Sequence, residues 1–510
     1  MVRPGDLAGQ VRTAAPRTAA TVTSPLDGTP VGTVPVCDPA DVTTAIARAR
    51  AAQPAWAATP LAQRCRIANR FRTLVIAHAD ELMDLIHAES GKSRVNALEE
   101  VLDTALTSAY YAQNAPRWLA SRPRVGAIPL LTTVTERYEP KGVVGVISPW
   151  NFPLTLAISD AIPALLAGNA VLLKPDSATP LTALAALYWL CRAGLPPDVL
   201  QIVTGPGSRL GAPLVDGVDY LMFTGSTAVG RTLAARCGER LIGCSAELGG
   251  KNAMLVLADA DIPRAVAGAV QACFAVTGQL CVGIERLYVD RRVYARVVAA
   301  FVARTKALRL GPGNGWDVDL GPLISPERLR AVAAHVADAV ARGATVLAGG
   351  RARPDLGATF YEPTILAGVR EDMLVARQET FGPVVSVYAV DGDEAAIAAA
   401  SDTEYGLNAS VWSASLAHAR RVARRLRAGT VNINEGYAAG WASHGAPMGG
   451  FGISGLGRRH GREGIVKYTE PQTLATQHVL ALGPPAGVPR ATYARVMLAA
   501  ARVLHRLPMR

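Results

Sequence analysis

No uninterrupted apolar run in the 510 residues reaches the roughly 18 that a membrane span needs, so a membrane-spanning protein is not expected. There is no CxxC pair, no HExxH string and no His-rich tract, and no metal site is expected either. The seven cysteines are odd in number and scattered. That excludes a disulfide framework and points to a reducing, cytoplasmic compartment. Aromatic residues make up only 5% of the chain, and none interleaves with the basic runs "HARRVARRLRAGT" (418–430) and "GRRHGRE" (457–463). The net charge of +11 therefore reads as solvated surface, and no nucleic-acid partner is expected. Lysine is scarce: six of the 52 basic residues, the others being arginine. Such a bias leaves lysine where a compact ammonium on a flexible stem is wanted, which singles out Lys174 in "AVLLKP" and Lys251 after "ELGG".

Half of the residues are hydrophobic and 18% are charged, the balance of a folded chain long enough for two or three domains. The first thirty or so residues carry no apolar run and no cleavage-site pattern; they read as a mobile arm rather than a signal peptide. Residues 40–120 show apolar positions at helical spacing in three stretches, "DVTTAIARARAAQPAW", "LAQRCRIANRFRTLVIAHADELMDLIHAES" and "VNALEEVLDTALTSAYYAQ". "TTVTERYEP" (132–140) alternates like an exposed hairpin strand. Short apolar strands then alternate with helical stretches twice over. "GVVGVIS", "NAVLLK", "LQIVTG" and "YLMFTG" form the first series; "NAMLVL", "IERLYVD", "TVLAGG", "FGPVVSVYAV", "NASVWS" and "GTVNIN" form the second. The rhythm is that of two α/β domains with parallel sheets.

Several positions invite a chemical reading, each beside a plainer one. Gly225 and Ser226 end a strand and open a helix, as a tight turn or as a cradle for a pyrophosphate. Lys174 is a solvated strand-end lysine or a ribose or phosphate contact. Asn151, between Trp150 and a prolyl turn, is a turn residue or an oxyanion donor. Glu247, before two glycines at an apolar strand end, is a cap or a general base whose pKa burial would raise. Cys281, in the segment "FAVTGQLCVG", is a small hydrophobe or a nucleophile in a flexible polar turn.

Taken together, "PWNFP", "LKP", "FTGS", "ELGGK", "FAVTGQLC", "ETFGP" (379–383) and "PMGGFGISGLGRRHG" resemble the aldehyde dehydrogenase superfamily, in family order, from about Pro25 to about Thr476. "SAELGGKN" and "GLGRRHG" look closest to bacterial NADP-dependent succinate-semialdehyde dehydrogenases. The resemblance implies an aldehyde dehydrogenase-like α/β fold. Residues 1–121 and 141–249 would form a Rossmann-like cofactor domain, 250–465 an α/β catalytic domain, 122–140 and 466–489 a small β oligomerisation arm, and 490–510 a C-terminal amphipathic extension. It implies that Cys281 is the nucleophile, that Asn151 and the Cys281 backbone N–H hold the oxyanion, and that Glu247 activates the water that releases the acid. The free thiol, with its pKa of about 8.5, would be activated by a lowered pKa or by a base. Glu379 would hold the nicotinamide ribose beside Phe381. Lys174, Pro175, Asp176 and Ser177 would meet the adenosine ribose, and Trp150, Gly225, Ser226 and Leu248 would line the cofactor path.

NAD-preferring relatives often carry glutamate where this chain has Ser177. A carboxylate there would repel a 2′-phosphate, so NADP is expected, with NAD also accepted. The implied reaction takes an aldehyde, first of all succinate semialdehyde, to its acid. The arginines that many succinate-semialdehyde enzymes use for the distal carboxylate are replaced here by Ser159 and Ala275. Tyr437 and Trp441 border the expected tunnel and leave room for a second reading, apolar aliphatic or aromatic aldehydes. A non-catalytic structural relative is the remaining alternative, against which the retained Cys281, Glu247, Asn151 and Glu379 stand. The partner implied besides the aldehyde is a second copy of the chain, in a homodimer or homotetramer. For 490–510, packing on a neighbouring subunit is the favoured reading over contact with anionic lipid.

Overall fold

A computed structural model describes residues 7–127, 131–478 and 483–504, with residues 503 and 504 described by backbone alone. The outer ends of the expected first domain, the arm and the C-terminal extension (1–6, 128–130, 479–482 and 505–510) lie outside the described residues.

The strands form two large sheets. In the first, the strand order is Gly455–Leu456, Gly243–Glu247, Tyr220–Thr224, Val143–Ile147, Ala170–Lys174, Leu200–Ile202, and all but the first are parallel. Val143–Ile147, Ala170–Lys174 and Tyr220–Thr224 are buried along their whole length, which is why they read as continuous apolar runs. In the second sheet the order is Thr345–Ala348, Thr364–Ala367, Val384–Val390, Ile284–Asp290, Asn252–Val256, Asn408–Trp412, Thr430–Ile433. Only Thr345–Ala348 runs antiparallel there. A three-stranded antiparallel sheet joins Thr132–Pro140 to Arg122–Arg124 and to the largely exposed strand Thr469–Gln477.

The helical region 40–120 holds four helices, Pro39–Ala58, Leu61–Ala77, Ala79–Ser90 and Arg94–Leu119. The long middle stretch expected as one helix breaks at His78, whose φ of −113° and ψ of 27° turn the chain before Ala79. Asp38 and Asp41 form a reciprocal capping box at the first helix. The N-terminal segment corrects the mobile-arm expectation over residues 7–35. Leu7 and Val11 are buried, Gln10 donates to the Leu184 carbonyl, and Ala19–Thr23 pairs antiparallel with Pro30–Pro35. The C-terminal helix Arg490–Leu504 leaves Val496 and Leu498 exposed. Among the described residues no helix is long and apolar enough to cross a membrane.

Two buried carboxylates fix helices that lead to the site. Glu89 accepts from the Leu181 and Thr182 amides, both at 2.7 Å, at the start of helix Pro180–Ala193. Glu100 accepts from the Leu154 and Thr155 amides at 2.9 and 3.1 Å, at the start of helix Thr155–Leu166, and also pairs with the Lys92 ammonium. Acceptors at helix N-termini satisfy otherwise orphaned N–H groups. Glu100 thereby holds Leu154, three residues after Asn151.

Candidate active site

In the first sheet the chain runs outward from Val143–Ile147 to Ala170–Lys174 and Leu200–Ile202, then returns to the other side at Tyr220–Thr224. Such a switch point opens a crevice beyond the carboxyl ends of the two central strands. The residues just past those ends are Pro149–Asn151 and Gly225–Ser226; Leu248 and Gly249 follow the adjacent strand Gly243–Glu247. From the second sheet come the segments that precede its strands: Cys281 before Ile284–Asp290, and Glu379 and Phe381 before Val384–Val390. All of these residues, with Glu247 and Arg328, line one cavity of about 190 Å³.

Cys281 also lines a second cavity of about 190 Å³, on the side of helix Arg94–Leu119. Its wall is mostly apolar, from Leu102, Leu106, Phe152, Leu156, Tyr437 and Trp441, and the described residues that line it include no lysine or arginine. The thiol thus stands at the junction of a polar cavity and an apolar one.

The flexible polar turn expected around Cys281 is instead a packed, clamped segment. Residues 274–280 are all buried and Cys281 itself is half-buried. Val276 and Thr277 both hold φ of 54°, a costly conformation for β-branched residues. Their surroundings impose it. The Asn96 side chain accepts from the Val276 amide at 2.9 Å, and the Thr277 hydroxyl donates to the Gly321 carbonyl at 2.9 Å. Gln279 spans the segment, donating to the Val276 and Pro322 carbonyls and accepting from the Ile324 amide. The Asn151 amide nitrogen donates to the Gln279 carbonyl at 2.9 Å. An amide nitrogen carries two N–H donors, and this bond uses one of them.

Electrostatics separate the two groups proposed to move protons. Burial pushes the Cys281 thiol up to about 12; nearby Arg459 opposes the rise, while Glu379 and Glu247 add to it. Burial raises Glu247 to about 7 against the pull of Arg459 and Lys467, and its Oε1 has no hydrogen-bond partner. Glu379 is also raised to about 7 by burial, with Glu285 adding to the rise; its Oε1 accepts from the Gly250 amide at 2.8 Å. Burial thus moves the thiol away from the lowered pKa that one of the two expected routes requires.

Lys251, which its scarcity marked for a direct contact, has a different place. It is buried, and its ammonium pairs with Glu285. Glu285 in turn accepts from the Thr380 and Phe381 amides at 2.9–3.0 Å. The pair therefore holds the loop that presents Glu379 and Phe381, the latter at a φ of 49°.

The lining of this cavity fits one part of a dinucleotide. A Cβ on Gly225 would lie 2.6 Å from the Phe223 ring, and one on Gly249 would strike the Glu379 carboxylate, so glycine lets these two side chains pack against the bare backbone of the cavity wall. Ser226 caps helix Thr227–Glu239 with its side chain, and the helix start faces the cavity as an anion would require. Trp150 and Phe381 stand edge to face, 5.6 Å between ring centres. Lys174, Pro175, Asp176 and Ser177 are not on this wall. Lys174 is buried, donating to the Pro175 carbonyl at 2.8 Å, and a Cβ on Gly207 would lie 3.8 Å from its nitrogen. Asp176 accepts from the Ala178 amide at 2.9 Å as a turn residue, and Ser177 is exposed.

Three groups escaped the sequence reading. Arg328 brings a cation to the polar cavity, with its Nε unpaired and buried; "SPERLR" looks only like a capped helix start. Asn252 holds the Cys281 backbone from a position that reads as the first residue of a strand. Asp103, His444 and His460 come together from distant parts of the chain, although no His-rich tract exists.

Comparisons with known proteins show the family. The profile of the aldehyde dehydrogenase family matches residues 11–474. A chain from Mycolicibacterium smegmatis, provisionally named an NADP(+) succinate-semialdehyde dehydrogenase, is 52% identical over 483 residues, 95% of this chain and 93% of its own length. A similarly named chain from Mycobacterium tuberculosis is 49% identical over 500 residues, covering 98% of this chain and 96% of that one. Among solved structures, an NADP-dependent enzyme of E. coli superposes with a TM-score of 0.87 at 36% identity, over 90% of this chain and 95% of that one. A betaine aldehyde dehydrogenase from Staphylococcus aureus in complex with NAD+ gives 0.88 at 30% identity, over 92% and 94%.

Proposed function

The chain belongs to the aldehyde dehydrogenase family, and from that premise we propose that it oxidises succinate semialdehyde to succinate with NADP, accepting NAD as well. The substrate and nucleotide are those in the names of the mycobacterial relatives. One observation carries the chemistry: Cys281 stands where the polar cavity with Glu247, Asn151 and Glu379 meets the apolar one.

Cys281 supplies the sulfur that bonds to the aldehyde carbon, and its proton passes to Glu247, the nearby base with a pKa near the working pH. The other N–H of Asn151 and the Cys281 backbone N–H hold the oxygen as it becomes anionic. NADP, when bound, supplies the hydride acceptor. Glu379 and Phe381, on the loop held by Glu285, position it, with Lys174 and Ser177 near the 2′-phosphate. With the hydride gone from the carbon and the thiol proton released from Glu247 to solvent, the Glu247 carboxylate would take a proton from water as that water attacks the thioester carbon; the C–S bond breaks, the Cys281 thiolate is regained and the acid leaves.

A second reading is favoured by the apolar wall of the second cavity, which suits an aliphatic or aromatic aldehyde. A kcat/KM panel of succinate semialdehyde, hexanal and benzaldehyde with both nucleotides decides between them. An advantage for hexanal or benzaldehyde of more than about a hundredfold, roughly 2.7 kcal/mol, rejects the semialdehyde. Absence of NADPH formation with every aldehyde rejects the oxidation itself.

We also propose that the chain works as a homo-oligomer. The exposed strand Thr469–Gln477 and the exposed apolar side chains of helix Arg490–Leu504 support this.

A further inference from the structure

Asp103, His444 and His460 each offer one ligand atom, and the three atoms lie within 4.8 Å of one another. All three are more than nine-tenths buried. His444 Nε2 lies 3.1 Å from one Asp103 oxygen, and the other accepts from the Ser159 hydroxyl at 2.9 Å. His460 packs beside them, 5.0 Å between the imidazole centres, yet neither of its ring nitrogens has a hydrogen-bond partner among the described residues. A neutral imidazole carries one donor and one acceptor, and burying both unpaired is rare in a folded protein. Two imidazoles and a carboxylate with a position to spare are the donor set of divalent first-row metals.

The cluster also has an entrance, because Asp103 and His444 line the apolar cavity that begins at Cys281. That cavity shows no lysine or arginine to meet a charged substrate.

We propose that Asp103, His444 and His460 bind a divalent transition-metal ion of the zinc class, whose open coordination position takes the carboxylate of the substrate. The ion displaces the proton shared by His444 and Asp103. Against one aspartate it adds positive charge to a cavity wall whose described lining residues include no lysine or arginine. The metal site stands on the geometry alone; its carboxylate role rests on the succinate-semialdehyde reading.

The binding test uses the full-length Cys281→Ala chain, so that the thiol lining the cavity cannot take the metal. Titration with Co2+ alone, followed by visible absorption, should show one equivalent bound through nitrogen and oxygen ligands. His460→Gln and Asp103→Asn, each made in that background, should weaken this binding at least about tenfold. Circular dichroism checks that each variant is folded. No uptake by the parent, or equal uptake by both folded variants, overturns the site.

The substrate arm uses the native chain, stripped with chelator and then resupplied with Zn2+. The ratio of kcat/KM for succinate semialdehyde to that for hexanal should rise about tenfold with the metal. A ratio that does not move overturns the carboxylate role. Failure of the semialdehyde reading looks different: hexanal is then preferred by more than about a hundredfold with and without metal, while cobalt binding persists.

Discussion

The side-chain amide of Asn252 donates to the carbonyl oxygen of Cys281 at 2.8 Å, and to that of Gly283 at 2.8 Å. Its own oxygen accepts from the Asn408 amide at 3.0 Å, while the Asn408 side chain donates to the Val282 carbonyl at 2.8 Å. Three successive carbonyls around the proposed nucleophile are thus held by side chains rather than by sheet partners. The two asparagines begin adjacent parallel strands, so the sheet itself fixes where the sulfur stands.

Asn252→Ala should therefore lower kcat by about ten- to a hundredfold, the scale on which small misplacements act, with little change in the KM for NADP. Leaving the buried carbonyls unpaired should also cost about 1–3 kcal/mol of stability. Steady-state kinetics with a urea unfolding curve measures both. An unchanged kcat would show that the sulfur is positioned without this bond.

Cys281→Ala should abolish turnover, since no bond to the aldehyde carbon can form. Glu247→Gln should give a burst of NADPH followed by a slow steady state, because the acyl group forms faster than it is hydrolysed. Rapid-mixing absorbance at the NADPH band distinguishes the two. Wild-type turnover in either variant would remove these residues from the reaction.

The raised pKa of Glu247 has two pH consequences. Hydrolysis needs the carboxylate, so kcat should rise through pH 7 and Glu247→Gln should lose that limb. Stability moves the other way. Between an ordinary value of 4.5 and the folded value of about 7, the folded chain keeps a proton that the unfolded chain has lost. Stability therefore falls as pH rises through this window, and the full cost, about 3 kcal/mol, is present above it. Glu247→Gln should raise Tm at pH 8 and leave it nearly unchanged at pH 4. Calorimetry at the two pH values checks this, and an equal shift at both would mean that the glutamate is not buried as a charge.

Ser177 is exposed beside the turn made by Asp176, whose carboxylate is engaged with the Ala178 amide. Ser177→Glu should move preference toward NAD, chiefly by raising the KM for NADP, since a carboxylate there repels a 2′-phosphate while Lys174 continues to attract it. The ratio of kcat/KM for the two nucleotides measures the effect. An unchanged ratio would show that residue 177 does not read the ribose.

The sequence by itself determined the fold class and most of the strands, because strands buried on both faces are apolar throughout, as Val143–Ile147 and Ala170–Lys174 are. It also showed the short motifs that hold Asn151, Glu247, Cys281 and Glu379, since turns beside a bound nucleotide need glycine and proline at fixed places. Thr364–Ala367 escaped the apolar pattern because four residues carry little periodicity. Only the tertiary structure decided what surrounds the motifs. Burial, not residue type, sets Glu247 near 7 and Cys281 near 12, and burial depends on which chain segments close over them. The carboxylate that holds the Glu379 loop, the amide that fixes Cys281 and the Asp103–His444–His460 cluster all join residues far apart in the chain. No local pattern records such pairings, because the free energy that forms them comes from packing the two sheets together.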